Sequence, residues 1–214
     1  AGVKPGIGHS NHHRPRGAGH RTRHGYPLRV VAVDERYLEE LRAEFPRLRL
    51  IDKERDAFSR LIDRALRVIT FGGQSAYLTR YVTTMGRTLY FPTSWRGRTP
   101  ESRYVTLRHE AVHLRQFRRY GRVGTALIYL LPIVPLGLAW GRARLEWEAY
   151  RETLRATAEL HGIAAARDPK LHAHIRTQFV GPAYGWMWPF PGIVQGWIDR
   201  ALEEIAVEIR RGRQ

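Results

Sequence analysis

The sequence predicts an α+β domain dominated by helices, with a small sheet whose edge hairpin precedes a polar helix. Three observations carry this expectation. Apolar residues recur at i, i+3 and i+4 over several long stretches, the period of an amphipathic helix. β-Branched runs are few, short and bounded by Gly or Pro. Finally, 214 residues with 43% hydrophobic content and 6 Trp suffice for one core, alone or with a tail. Composition also limits the chemistry. The absence of Cys excludes disulfides, thiol catalysis and cysteine-based metal sites, so any metal must use His, Asp, Glu or backbone oxygen. A net charge of +16, with Lys only at positions 4, 53 and 170, favours anionic partners, although so Arg-rich a balance also follows from genome composition.

Residues 1–29 hold six Arg or Lys, five His, six Gly, three Pro and no acid, and read as a disordered basic arm. Its histidines, 9, 12, 13, 20 and 24, can bind metal opportunistically. No apolar run follows the charges, so no signal peptide is read, and the expected location is the cytoplasm or a membrane surface. Residues 30–214 are expected to form one domain. It opens with a β-type run over 28–33 and a helix over 34–45 that Pro46 ends. A short strand is expected over 48–51. Phe58, Leu61, Ile62, Ala65, Leu66 and Ile69 then mark a helix over 52–70, which Gly72 and Gly73 stop. Runs over 77–84 and 88–91, separated by Met85, Gly86 and Arg87, read as a hairpin. Thr99 and Pro100 supply an N-cap and an N1 proline for a helix running towards Gly121. Nineteen uncharged residues, 123–141, follow. Beyond them come helices over 142–160, 169–180 and 193–210, with an aromatic Gly/Pro stretch over 181–191 inside a Trp-rich segment, 181–197.

The helix opened at Pro100 carries the chemistry. His109, Glu110, Ala111, Val112 and His113 spell H-E-x-x-H. Residues i and i+4 project from one helix face about 6 Å apart, so two imidazoles can converge on one tetrahedral ion. Glu110 lies beside them, placed to take a proton from a water that the metal acidifies. A third ligand comes from the helix over 142–160. Its polar stripe is Glu148, Arg151, Glu152, Arg155 and Glu159, spaced for ion pairs along the helix, while Glu146 shares a stripe with Ala149, Tyr150 and Thr153. Glu146 is therefore expected to face inward, where a metal or an Arg must satisfy it, and Glu148 to face solvent.

With these residues the chain resembles the gluzincin class of zinc metallopeptidases, in which a second helix supplies a glutamate after the H-E-x-x-H helix. The run Glu146, Trp147, Glu148, Ala149, Tyr150 is similar to the E-x-x-A-D element of the HtpX-like, BlaR-type and minimal members. The resemblance covers residues 77–160 and implies a zincin-like fold, Zn2+ as cofactor, His109, His113 and Glu146 as ligands, and Glu110 as catalytic base. The family's aspartate, which orients a ligand histidine, falls on Tyr150, whose phenol can still accept a hydrogen bond.

The ligand set constrains the apolar segment. A single span over 123–141 would leave His113 and Glu146 on opposite sides of a bilayer. The segment is instead expected to fold back as a buried or interface-lying helical hairpin broken near Pro132 and Pro135, with Arg118, Arg119, Arg122, Arg142 and Arg144 on one side. In the class it resembles, the strand before the metal helix is a sheet edge to which an extended substrate adds. Thr88, Leu89, Tyr90 and Phe91 are the candidate here. Tyr184, His172 and His174 are candidate oxyanion stabilisers, and the sequence does not choose among them. The expected function is peptide-bond hydrolysis by a metal-activated water. The rival is a non-enzymatic basic binding or assembly protein with a structural or vestigial metal site. Partners on these readings are a peptide or protein substrate, an acidic membrane surface and, through the arm, nucleic acid.

Overall fold

The computed structural model describes residues 32–57, 59–61, 78–79, 81–131, 139–181 and 187–212. All belong to the unit Val31–Gln214; the expected arm over 1–29 lies outside the described residues. The class is α+β and helix-dominated. Helix α1 (Val33–Glu44) starts at Val33, which the sequence reading placed in a strand; residues 28–31 lie outside the described residues. Strand β1 (Arg49–Asp52) sits one residue beyond its expected bounds. The helix expected from Asp52 starts later, because Asp52 ends β1 and the Asp56 carboxylate accepts from the Ser59 backbone N–H at 2.7 Å and from its hydroxyl at 2.8 Å. Residues 58 and 62–70 of that expected helix, and 71–77 after it, lie outside the described residues.

The hairpin forms, as β2 (Thr83–Met85) and β3 (Thr88–Phe91), around Gly86 at φ 64°. Its place in the sheet differs from expectation. The strand order is β1-β3-β2, with β1 parallel to β3 (Leu50 beside Leu89) and β2 antiparallel to it (Thr84 beside Leu89). β3 is thus central, with its backbone groups used on both sides, and cannot be the edge that receives a substrate. The outer strands are β1 and β2. The buried Lys53 locks the arrangement, donating to the Tyr81 carbonyl at 2.8 Å and to Thr83 Oγ1 at 2.7 Å.

Thr99 caps helix α2 (Pro100–Leu130) through the Ser102 backbone N–H. Its first helical run ends at Gly121, as the sequence predicts, and a second run follows across a kink. Gly121 takes φ 69° and ψ 175°, a conformation reserved almost entirely for glycine, and the chain resumes a helical path to Leu130 in a new direction. The chain returns as α3 (Trp140–His161), followed by α4 (Ile163–Ala166), α5 (Pro169–Val180) and α6 (Pro191–Arg211). Two cores result. Tyr37, Leu41, Leu89, Leu107 and Leu114 pack α1 and the sheet against α2. Tyr150, Leu154, Phe179, Ile198 and Ile205 join α3, α5 and α6. α2 and α3 make the most extensive pairing and form the seam between the cores. The expected break near Pro132 and Pro135 lies outside the described residues, whereas the helical residues before it place Val123 and Leu127 on the surface and not in the core.

Candidate metal centre

The site lies in that seam. α2 turns Leu107, Ala111 and Leu114 to the sheet and, from its other side, His109 and His113 to α3. From α3, Glu146 points back at them and is buried. Its Oε2 lies 3.9 Å from His109 Nε2 and 3.8 Å from His113 Nε2, and one donor atom from each residue falls within 4.8 Å of the others. The apolar segment therefore does return to the side it left.

Hydrogen bonds fix which ring nitrogens face the centre. Thr153 Oγ1 donates to the Ala149 carbonyl at 3.2 Å, so it accepts the proton of His109 Nδ1, 3.1 Å away. The Gln116 amide nitrogen donates to the Leu145 carbonyl and to Glu148 Oε2, both at 3.0 Å, so Gln116 Oε1 accepts the proton of His113 Nδ1 at 2.9 Å. Both Nε2 atoms are thereby left as lone-pair donors facing Glu146. The Tyr129 hydroxyl donates to Glu146 Oε1 at 3.2 Å, while buried Oε2 has no hydrogen-bond partner. A buried carboxylate oxygen left bare between two imidazole lone pairs is unfavourable, and a cation satisfies all three atoms at once. The residues present fit a divalent metal ion, and two imidazoles plus a carboxylate suit zinc.

Burial and the neighbouring charges act differently on the two imidazoles. Burial holds His109 well below the usual imidazole range, and the charge of His113 adds to this. Burial also opposes charge on His113, but Glu146 and Glu110 outweigh it and raise its value. Burial pushes Glu146 up, partly offset by His113. Burial, then the Glu146 charge, holds the Tyr129 hydroxyl protonated far into the alkaline range. Glu110, the candidate base, is buried, and its Oε2 accepts from Thr84 Oγ1 at 2.6 Å. The edge strand β2 thus orients the carboxylate next to the ligand pair.

Tyr150 stacks edge-on against His109, ring centroids 4.8 Å apart, and Thr153 Oγ1 holds the imidazole at Nδ1. His172 is buried away from the centre, its Nε2 donating to the Ala166 carbonyl at 2.9 Å. His174, on α5, acts on His109 electrostatically. Tyr184 lies outside the described residues. Glu148 lies outside the His109–His113–Glu146 cluster, but it does not simply face solvent, because it accepts from Gln116 and pairs with Arg144 at 3.4 Å. The rest of its stripe is also engaged across elements: Arg108 holds Glu152 and Glu159, Arg151 holds Glu204, and Arg155 holds Glu208. Thr84, Gln116 and Tyr129 were not legible as site residues. For Tyr129 a signal existed, since Thr125 and Tyr129 are polar residues four apart within the uncharged run. Compared with known proteins, the chain matches no family model, no curated protein and no solved structure.

Proposed function

We propose that the protein is a zinc-dependent peptidase of the minimal gluzincin kind, with His109, His113 and Glu146 as ligands, Glu110 as base and a zincin-like relation of edge strand to metal helix. The observation that carries this reading is Glu146 Oε2, buried without a hydrogen-bond partner opposite two imidazole Nε2 atoms whose Nδ1 protons are engaged. Zinc held by such a set acidifies a water molecule and polarises a carbonyl. Glu110 accepts the proton of the attacking water and passes it to the departing amine, and Thr84 keeps its carboxylate aimed while it is charged. An extended peptide added to the outer edge of β2 brings its backbone past Glu110. Among the described residues three protein donors come together, the number that a catalytic zinc takes from its protein.

The second reading, a binding or assembly protein whose metal site is structural or vestigial, is favoured by one departure: Tyr150 stands where the family has its aspartate. A pair of variants separates the two. Glu110→Gln keeps the metal and loses turnover on a peptide library, by roughly a hundredfold or more. His113→Ala loses both. Metal content is compared between full-length chains, because the histidines at 9, 12, 13, 20 and 24 contribute equally to each. Metal retained in His113→Ala at the native stoichiometry overturns the site, and an inactive zinc-loaded native chain supports the second reading.

A further inference from the structure

Beyond Gly121, α2 is turned inside out. Beside Ile128, which packs against Gly141, its inward residues are polar: buried Thr125 donates to the Gly121 carbonyl at 2.8 Å, and Tyr129 donates to Glu146. Beyond exposed Arg122, its outward residues are apolar. Val123, Leu127 and Leu131, spaced by four and so on one face, are 73%, 51% and 60% exposed. A helix facing water on its outer side has the opposite polarity. The apolar surface continues past the helix. Leu127, Leu131 and Trp140 line one groove of about 420 Å³. Trp140 packs on Trp188 at 5.2 Å, and Trp188 on Phe190 at 5.4 Å; Trp140 and Phe190 are each 42% exposed. Three stretches of chain thus build one contiguous patch, which scattered surface residues do not.

The border of the patch says what covers it. Arg144 lines this groove and also a second, of about 300 Å³, where it stands with Arg200 among Trp140, Trp147 and Trp197. The acids beside them are already matched, Glu148 by Arg144 and Glu204 by Arg151. Tryptophans at the margin of an apolar surface suit the headgroup level of a bilayer, and guanidinium groups suit lipid phosphates. No helix among the described residues is long and apolar enough to cross a membrane. We propose that this face docks on the surface of a bilayer containing acidic phospholipids. Val123, Leu127, Leu131, Trp140 and Phe190 enter the boundary between headgroups and acyl chains, and Arg144 and Arg200 engage phosphates. The inference does not depend on the metal reading.

The test is sedimentation of the full-length chain with vesicles of phosphatidylcholine alone or mixed with phosphatidylglycerol, at low and high salt. The expected result is binding to the acidic vesicles that partly survives high salt, with tryptophan emission quenched by brominated acyl chains. Leu127→Glu combined with Leu131→Glu weakens it by about tenfold or more, Arg144→Gln with Arg200→Gln by several-fold, and Trp140→Phe removes much of the quenching. Should the double glutamate variant fail to fold, Val123→Glu, at the most exposed position, gives the same reading. Three outcomes overturn the proposal. Binding that all variants share and high salt abolishes belongs to the basic residues of 1–29. Absence of binding to either vesicle assigns no lipid at all. Self-association that the leucine variants abolish, without vesicle binding, gives the face to a second copy of the chain.

Discussion

Gln116 spends its whole amide on the centre, accepting from His113 and donating to Leu145 and Glu148. Such outer partners hold an imidazole in one tautomer and are worth about 10–100-fold in metal affinity. Gln116→Leu is therefore expected to weaken zinc by that amount and leave α2 helical, as read by chelator competition and circular dichroism. The contrast between Glu146 and Glu148 is sharper. Glu146→Ala removes a ligand and costs more than any outer partner, whereas Glu148→Ala takes away only one of two acceptors for Gln116 and an ion pair with Arg144, and costs a few-fold. Equal affinities in the two variants would contradict the ligand assignment. His109, Glu110, His113 and Glu146 were legible because each is fixed by spacing within one helix. Thr84, Gln116 and Tyr129 were not, because what makes them relevant is a partner 17 to 32 positions away, or an amide whose acceptor only packing supplies.

At the level of elements, α2 and α3 meet more closely than ordinary side chains allow. A Cβ at Gly141 would collide with the Ile128 carbonyl, so Gly141→Ala forces apart the helices that carry Tyr129 and Glu146. A loss of about 1–3 kcal/mol is expected in urea unfolding, together with weaker zinc binding. Unchanged stability would mean that the crossing is looser than described. On the other side of α2, Arg115 and Arg118 reach Glu44 at the end of α1, at 2.6 and 3.1 Å. The hydrogen bond from Arg115 holds the Glu44 carboxyl below the ordinary value of 4.5. On acidification the unfolded chain therefore binds that proton first. The pair's contribution is present above 4.5 and is lost as pH falls through the lower, folded value. Because both partners are partly exposed, it is worth about 0 to 1 kcal/mol after screening. Glu44→Gln should lower the melting temperature by a few degrees at neutral pH and by nothing once the carboxyl is protonated.

The whole molecule places its candidate metal site where two cores meet. His109 and His113 stand on the helix that backs the sheet, and Glu146 on the helix that joins α5 and α6. An ion bound there ties the two cores together, so its binding energy becomes folding energy. Zinc at about a hundred times its dissociation constant is expected to add about 2.7 kcal/mol, raising the melting temperature of the native chain and leaving His113→Ala unmoved. A rise of equal size in both would place the effect on the histidines of 1–29.

The sequence by itself determined whatever depends on neighbours a few residues apart. Apolar period gave the helices at 34–45, 142–160, 169–180 and 193–210, Thr99 and Pro100 gave the start of α2, and the spacing of His109 and His113, with the inward stripe of Glu146, gave the cluster that could hold a metal. Tertiary structure decided what depends on distant pairing. β1 inserted itself beside β3 and left β2 as an outer strand, a second helical run set off in a new direction beyond Gly121, and the polar stripe of α3 paired with Arg108, Glu204 and Glu208. The physical reason is common to all three. Periodicity reports which face of an element is apolar, but a sheet order, a bend in direction or an ion pair between helices is a choice among surfaces that local pattern leaves equivalent.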